Sequence, residues 1–122
     1  MTAARSAVTL LALLLGAGAA WGHAFLDHAE PRVGSTVKSP PSQVRAWFTQ
    51  RLEPAFSSLE VFNHSGDRVD QGPAKADAGN PAMLQVPLKR LGPGTYRVKW
   101  RVLSVDAHVT EGEFTFRVEG GR

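Results

Sequence analysis

Polar and apolar residues alternate with a period of two over residues 95–103. Tyr96, Val98, Trp100 and Val102 fall on one side of that run, and Arg97, Lys99 and Arg101 on the other. Successive side chains of an extended strand point to opposite faces, so this is a strand with one buried and one wet face. Phe114, Phe116 and Val118 alternate with Thr115 and Arg117 in the same way, as do Val44, Ala46 and Phe48 with Arg45, Trp47 and Thr49. Shorter strands are predicted at 58–62, 68–71 and 83–88. Asn63-His64-Ser65-Gly66-Asp67 reads as a hairpin turn, and Leu91-Gly92-Pro93-Gly94 stops any helix before the best strand. Residues 74–81, rich in Ala, Gly, Asp and Pro, read as a polar loop. About seven short strands in so short a chain predict an all-β, immunoglobulin-like fold: an antiparallel Greek-key β-sandwich or barrel. Tyr96, Trp100, Phe114 and Phe116 are core by their spacing. Trp47 falls on the polar side of its strand and has no evident role.

The first 22 residues do not fit this pattern. Arg5 precedes an apolar run over 7–15, and small residues follow up to Ala20-Trp21-Gly22. The run is shorter than the roughly 20 residues a spanning helix needs. Together these features predict a secretory signal peptide over 1–22, cleaved after Gly22. Cleavage after Ala20 is the nearest competing reading. The expected product is an exported domain over 23–122 that begins at His23 and does not insert into the membrane.

Composition narrows the chemistry. The 122 residues include no Cys, which excludes a disulfide framework, a thiolate metal site and a thiol nucleophile. The formal charge is +3, and the basic residues form no run longer than the pair Lys89-Arg90, so no nucleic-acid partner is indicated. The residues left to carry chemistry are the four histidines and a few carboxylates. Asp106 and His108 flank Ala107 just beyond the 95–103 strand, and in an extended chain they would project to one side. Alone, this pair is weak evidence for a metal, since such a pair is more often a hydrogen-bonded loop feature. A processed terminus at His23 adds two nitrogens, the α-amine and the ring Nδ1, which can close a chelate ring on one metal. Without a metal, His23 would be a frayed end. Two nitrogens from His23, one from His108 and an oxygen from Asp106 form a mixed N/O set suited to tetragonal Cu(II).

These residues resemble the CopC family of periplasmic copper resistance proteins. The resemblance is carried by His23-Ala24-Phe25-Leu26, by Glu30-Pro31 with Gly34-Ser35, and by 48–59 with Leu52-Glu53-Pro54. Gly94-Thr95-Tyr96-Arg97-Val98-Lys99-Trp100-Arg101-Val102, Ser104-Val105-Asp106-Ala107-His108 and Gly112-Glu113-Phe114-Thr115-Phe116 complete it. It covers nearly all of the chain after residue 22. It implies a periplasmic Greek-key sandwich that binds one Cu(II) through His23, Asp106 and His108, acts as carrier or buffer, and is not an enzyme. An inner-membrane copper transporter is the partner such a carrier would serve.

Three positions depart from the family pattern. Gln50 stands where many relatives have an acidic residue, Phe25 stands where some have a second histidine, and after residue 22 only Met83 could supply a thioether. One Cu(II) site and no Met-rich Cu(I) site are therefore expected. His28 could be an axial or outer partner, Glu111 a hydrogen-bond partner of a ligand, and His64 is expected to be exposed without a role. Two other readings remain open. One is an oxidative enzyme with an N-terminal histidine brace, as in copper-dependent polysaccharide monooxygenases. The other is a metal-free immunoglobulin-like interaction module.

Overall fold

The structure is a computed structural model and describes residues 23–120. The signal peptide expected over 1–22 lies outside the described residues. Eight extended segments follow one another: β1 (Leu26–Glu30), β2 (Thr36–Val37), β3 (Gln43–Phe48), β4 (Ser58–Phe62), β5 (Lys75–Asp77), β6 (Asn80–Pro87), β7 (Gly94–Leu103) and β8 (Val109–Val118). They form two four-stranded sheets, β1-β3-β6-β5 and β2-β8-β7-β4. All pairings are antiparallel except β2 with β8. The chain passes repeatedly from one sheet to the other, and the inward faces meet in one apolar layer. This is the all-β sandwich expected from the alternation.

The core follows the period of two. Tyr96, Val98, Trp100 and Val102 of β7 are buried with Phe114, Phe116 and Val118 of β8, against Val44, Ala46 and Phe48 of β3 and Leu84 and Val86 of β6. Trp100 meets Phe48 edge-on, with ring centroids 5.3 Å apart. Opposite Trp100 in the β7–β8 register stands Gly112. A Cβ there would come within 2.6 Å of the indole, so the ring occupies space that only glycine leaves. Tyr96 stacks on Phe116, and its hydroxyl donates to the Gly92 carbonyl at 2.6 Å. That bond ties the turn before β7 to the strand, as the tyrosine corner does in immunoglobulin-like sandwiches.

Two sequence expectations are corrected. Residues 74–81 are not a polar loop: they hold β5 and the start of β6. Asp77 pairs with Asn80 across a tight turn, and Asn80 Oδ1 accepts from Ala82 N at 3.0 Å. The half-buried Ala76 packs on the core from this hairpin. Strand structure here comes from pairing with β6, which overrides weak local propensity. Conversely, 68–71 is not a strand. It forms two isolated bridges, Phe62 with Arg68 and Asp70 with Leu88, and is tied to its neighbours by backbone bonds from Val69 N to the Val61 carbonyl, Gln71 N to the Pro87 carbonyl and Lys89 N to the Val69 carbonyl, each 2.8 Å.

A side-chain network reinforces 68–71. The buried Asp70 carboxylate accepts from Val61 N at 2.9 Å and from Arg68 Nε and Nη2 at 3.1 and 2.9 Å. Arg68 also pairs with Glu60 at 3.0 Å. The Asp70 hydrogen bond holds the Arg68 pKa above its ordinary value; burial opposes it, and the charges of Asp70 and Glu60 add smaller upward contributions. Stability tied to a raised pKa is lost only as pH rises through it. The Arg68 charge therefore contributes no pH dependence near neutrality.

Candidate metal centre

One end of the sandwich gathers the start of β1, the ends of β3 and β7, and the starts of β4, β6 and β8. The residues before β1 lie across this end. Ala24 is completely buried, while His23 and Phe25 on either side are exposed. An alanine plugged into the core thus holds its preceding histidine at the surface.

His108 reaches the same end from the β7–β8 connection. Ser104 N donates to the His108 carbonyl at 3.0 Å, and Ala107 N donates to the Ser104 carbonyl at 2.9 Å. These bonds close the turn tightly enough to drive Ala107 to φ 66°, a left-handed conformation that a residue with a Cβ rarely adopts. Val105 N donates to the Arg51 carbonyl at 3.0 Å and anchors the turn to the segment after β3.

The outcome is a pair of imidazoles from opposite ends of the described chain. The His23 and His108 ring centroids are 4.8 Å apart, with planes inclined at 40°. A metal about 2.0 Å from one nitrogen of each ring needs the rings roughly 4–6 Å apart, centre to centre. The observed spacing fits that requirement. Asp106 is exposed in the same turn. The structure does not draw it in as a third side chain: among the described residues no group of three or more His, Cys, Asp or Glu is assembled to hold a metal ion. The chelating nitrogen expected from His23 is a main-chain atom, which a side-chain cluster leaves out.

The remaining candidates are placed elsewhere. His28 Nδ1 lies 2.7 Å from Asp27 Oδ2, and its ring stacks on Trp47 at 4.3 Å, nearly parallel. The pairing accounts for both an axial-ligand candidate and the unassigned tryptophan, since each covers the other on the outer face of the first sheet. No alternation pattern could have shown it, because it depends on the β1–β3 register, in which His28 sits opposite Trp47. Glu111 faces Arg101 at 3.5 Å rather than a ligand. His64 lines an open groove of about 420 Å³ with Thr95 and Arg117 at the far end of the sandwich. Gln50 is half-buried, just past Thr49.

Around the imidazole pair, Phe25, Phe56, Val105 and Val109 are the exposed large hydrophobic residues of this end. Phe25 lies with its ring centroid 6.0 Å from that of His23. Among the described residues no helix is long and apolar enough to cross a membrane.

Comparison with known proteins gives a consistent match. The family model described as CopC domain covers residues 26–119, which include Asp106 and His108. Copper resistance protein C of Xanthomonas campestris pv. juglandis is 30% identical over 118 residues, spanning 92% of each chain. The copper transport protein CutJ of Bacillus subtilis is 31% identical over 112 residues, 91% of this chain but 21% of CutJ. The crystal structure of CopC from Methylosinus trichosporium OB3b superposes with a TM-score of 0.77 at 36% identity, covering 82% of this chain and 97% of that one.

Proposed function

The chain belongs to the CopC family, and from that premise we propose that it is a periplasmic Cu(II) carrier or buffer that becomes competent once residues 1–22 are removed. The observation that carries this reading is the His23–His108 imidazole pair, 4.8 Å between centroids, at the point where a processed chain would begin. Four donors bind one cupric ion: the His23 α-amine and ring, the His108 ring and an Asp106 oxygen. Asp106 lies in the same exposed turn as His108, where its carboxylate is accessible to a metal. Nitrogen and carboxylate donors favour Cu(II), while Cu(I) calls for soft sulfur, for which Met83 is poorly placed because it is buried in β6.

The role needs no catalysis. Capture and release of a metal ion require only an accessible donor set. Delivery goes to an inner-membrane copper transporter, and the likeness to about a fifth of CutJ supports that partner class. The acceptor approaches at the imidazole end, where Phe25, Val105 and Val109 present apolar surface beside the ligands.

The amine is the most specific element of the proposal, and it can be tested alone. Isothermal titration of Cu(II) into the chain starting at His23 is compared with the same chain bearing one extra N-terminal residue. The added residue turns the amine into an amide and breaks the chelate. A large loss of affinity is expected in the extended form, and equal affinities would remove the amine from the site.

A further inference from the structure

The segment that carries His23 to His108 is fastened to both sheets through two threonines. Phe25 N donates to Thr49 Oγ1 at 2.9 Å, and Thr49 N donates back to the Phe25 carbonyl at 2.9 Å. Thr49 directly follows β3, in the first sheet. One residue earlier, the Thr110 hydroxyl donates to the Ala24 carbonyl. Thr110 belongs to β8, in the second sheet, two positions past His108. It has the strand parity of Phe114, Phe116 and Val118, so its hydroxyl points inward, where a polar group without a partner would be costly. The Ala24 carbonyl is that partner. The leading residues are thus a stitch between the two sheets, with the buried Ala24 at its centre.

A chain terminus ordinarily frays, and ordering it costs conformational entropy. We propose that Thr110 and Thr49 are positioning residues that meet this cost before the metal arrives. By holding Ala24 and Phe25 in register, they bring both nitrogens of His23 beside the His108 ring. The same clamp explains how a ligand at a chain end can serve as a preformed half of a site. It rests on the reading that His23 and His108 are ligands.

The test uses the chain starting at His23 as wild type, Thr110→Val, Thr110→Ser, Thr49→Val and His108→Ala. Cu(II) affinity is measured by competition titration, together with the visible absorption band of bound Cu(II) and thermal unfolding without metal. Thr110→Val keeps the shape and loses the hydroxyl; it is expected to bind roughly tenfold more weakly with a shifted band, while Thr110→Ser stays within about twofold of wild type. Thr49→Val is expected to move in the same direction as Thr110→Val. Lower unfolding temperatures with wild-type affinity and band in both valine variants would overturn the clamp, since a merely structural role predicts that result. Should Thr110→Val fail to fold, Thr49→Val decides, and wild-type binding there overturns the proposal. Wild-type binding by His108→Ala would overturn the ligand assignment and the clamp with it. Loss in His108→Ala alone would overturn only the clamp.

Discussion

Ala107 carries the clearest sign of constraint in the described chain. A non-glycine residue at φ 66° costs roughly 1–2 kcal/mol, and the Ser104–His108 turn bonds hold it there. The turn gains compactness in return, with His108 directed at the chain start. Strain of this kind concentrates at functional sites, and here it sits between the two side-chain donors proposed from this turn. The donors must lose protons to bind. Protons compete with the metal for nitrogen donors as pH falls. Cu(II) affinity is therefore expected to fall steadily as pH is lowered from 8 to 5. A titration series over that range checks it, and a flat profile would argue against nitrogen donors.

Among the elements, β7 and β8 do the most to place the site. Their ten-residue ladder runs unbroken from Gly94 opposite Val118 to Leu103 opposite Val109, and ends at the His108 turn. Its weak point is Gly112, where an added methyl would drive into the Trp100 indole. Gly112→Ala is expected to destabilise the protein by about 1–3 kcal/mol through overpacking, measured as a lower denaturation midpoint with an unchanged slope. A variant as stable as wild type would mean that Trp100 has room to move.

β7 and the second half of β8 are also the most legible in the sequence, because Tyr96, Val98, Trp100 and Val102, and then Phe114, Phe116 and Val118, are large inward residues in regular alternation. The small inward Thr110 and Gly112 give the first half of β8 no such signal. The hairpin at 75–87 is not legible in this way. Its first half is built of Lys75, Ala76 and Asp77, whose extended conformation comes from a partner strand rather than from their own preferences. At the site, His23 and the Asp106–His108 pair could be picked out by residue type and position. Their meeting could not, because it depends on which end of the sandwich the β1 entry and the β7–β8 turn share. Thr110 was invisible for a related reason. A threonine at an inward strand position looks like ordinary β-branched packing until the Ala24 carbonyl is found against its hydroxyl.

Across the described residues, two sheets form one frame, with the proposed site at one end and the exposed ion pairs Arg97–Glu113 and Arg101–Glu111 on the outer face of the second sheet. The proposed ligands His23, Asp106 and His108 are exposed at the rim of the frame, so the proposed site would be open to an acceptor without a pocket. The frame contains no Cys, so its folding is independent of the redox state of the compartment that receives it. In the proposed function, a chain start at His23 is what converts the frame into a binding protein. The most direct test is native mass spectrometry of the exported protein with one equivalent of Cu(II). The account predicts one species whose polypeptide begins at His23 and retains a single copper ion. A polypeptide that begins at Trp21 and holds copper equally well, or one that begins at His23 and holds none, would contradict it.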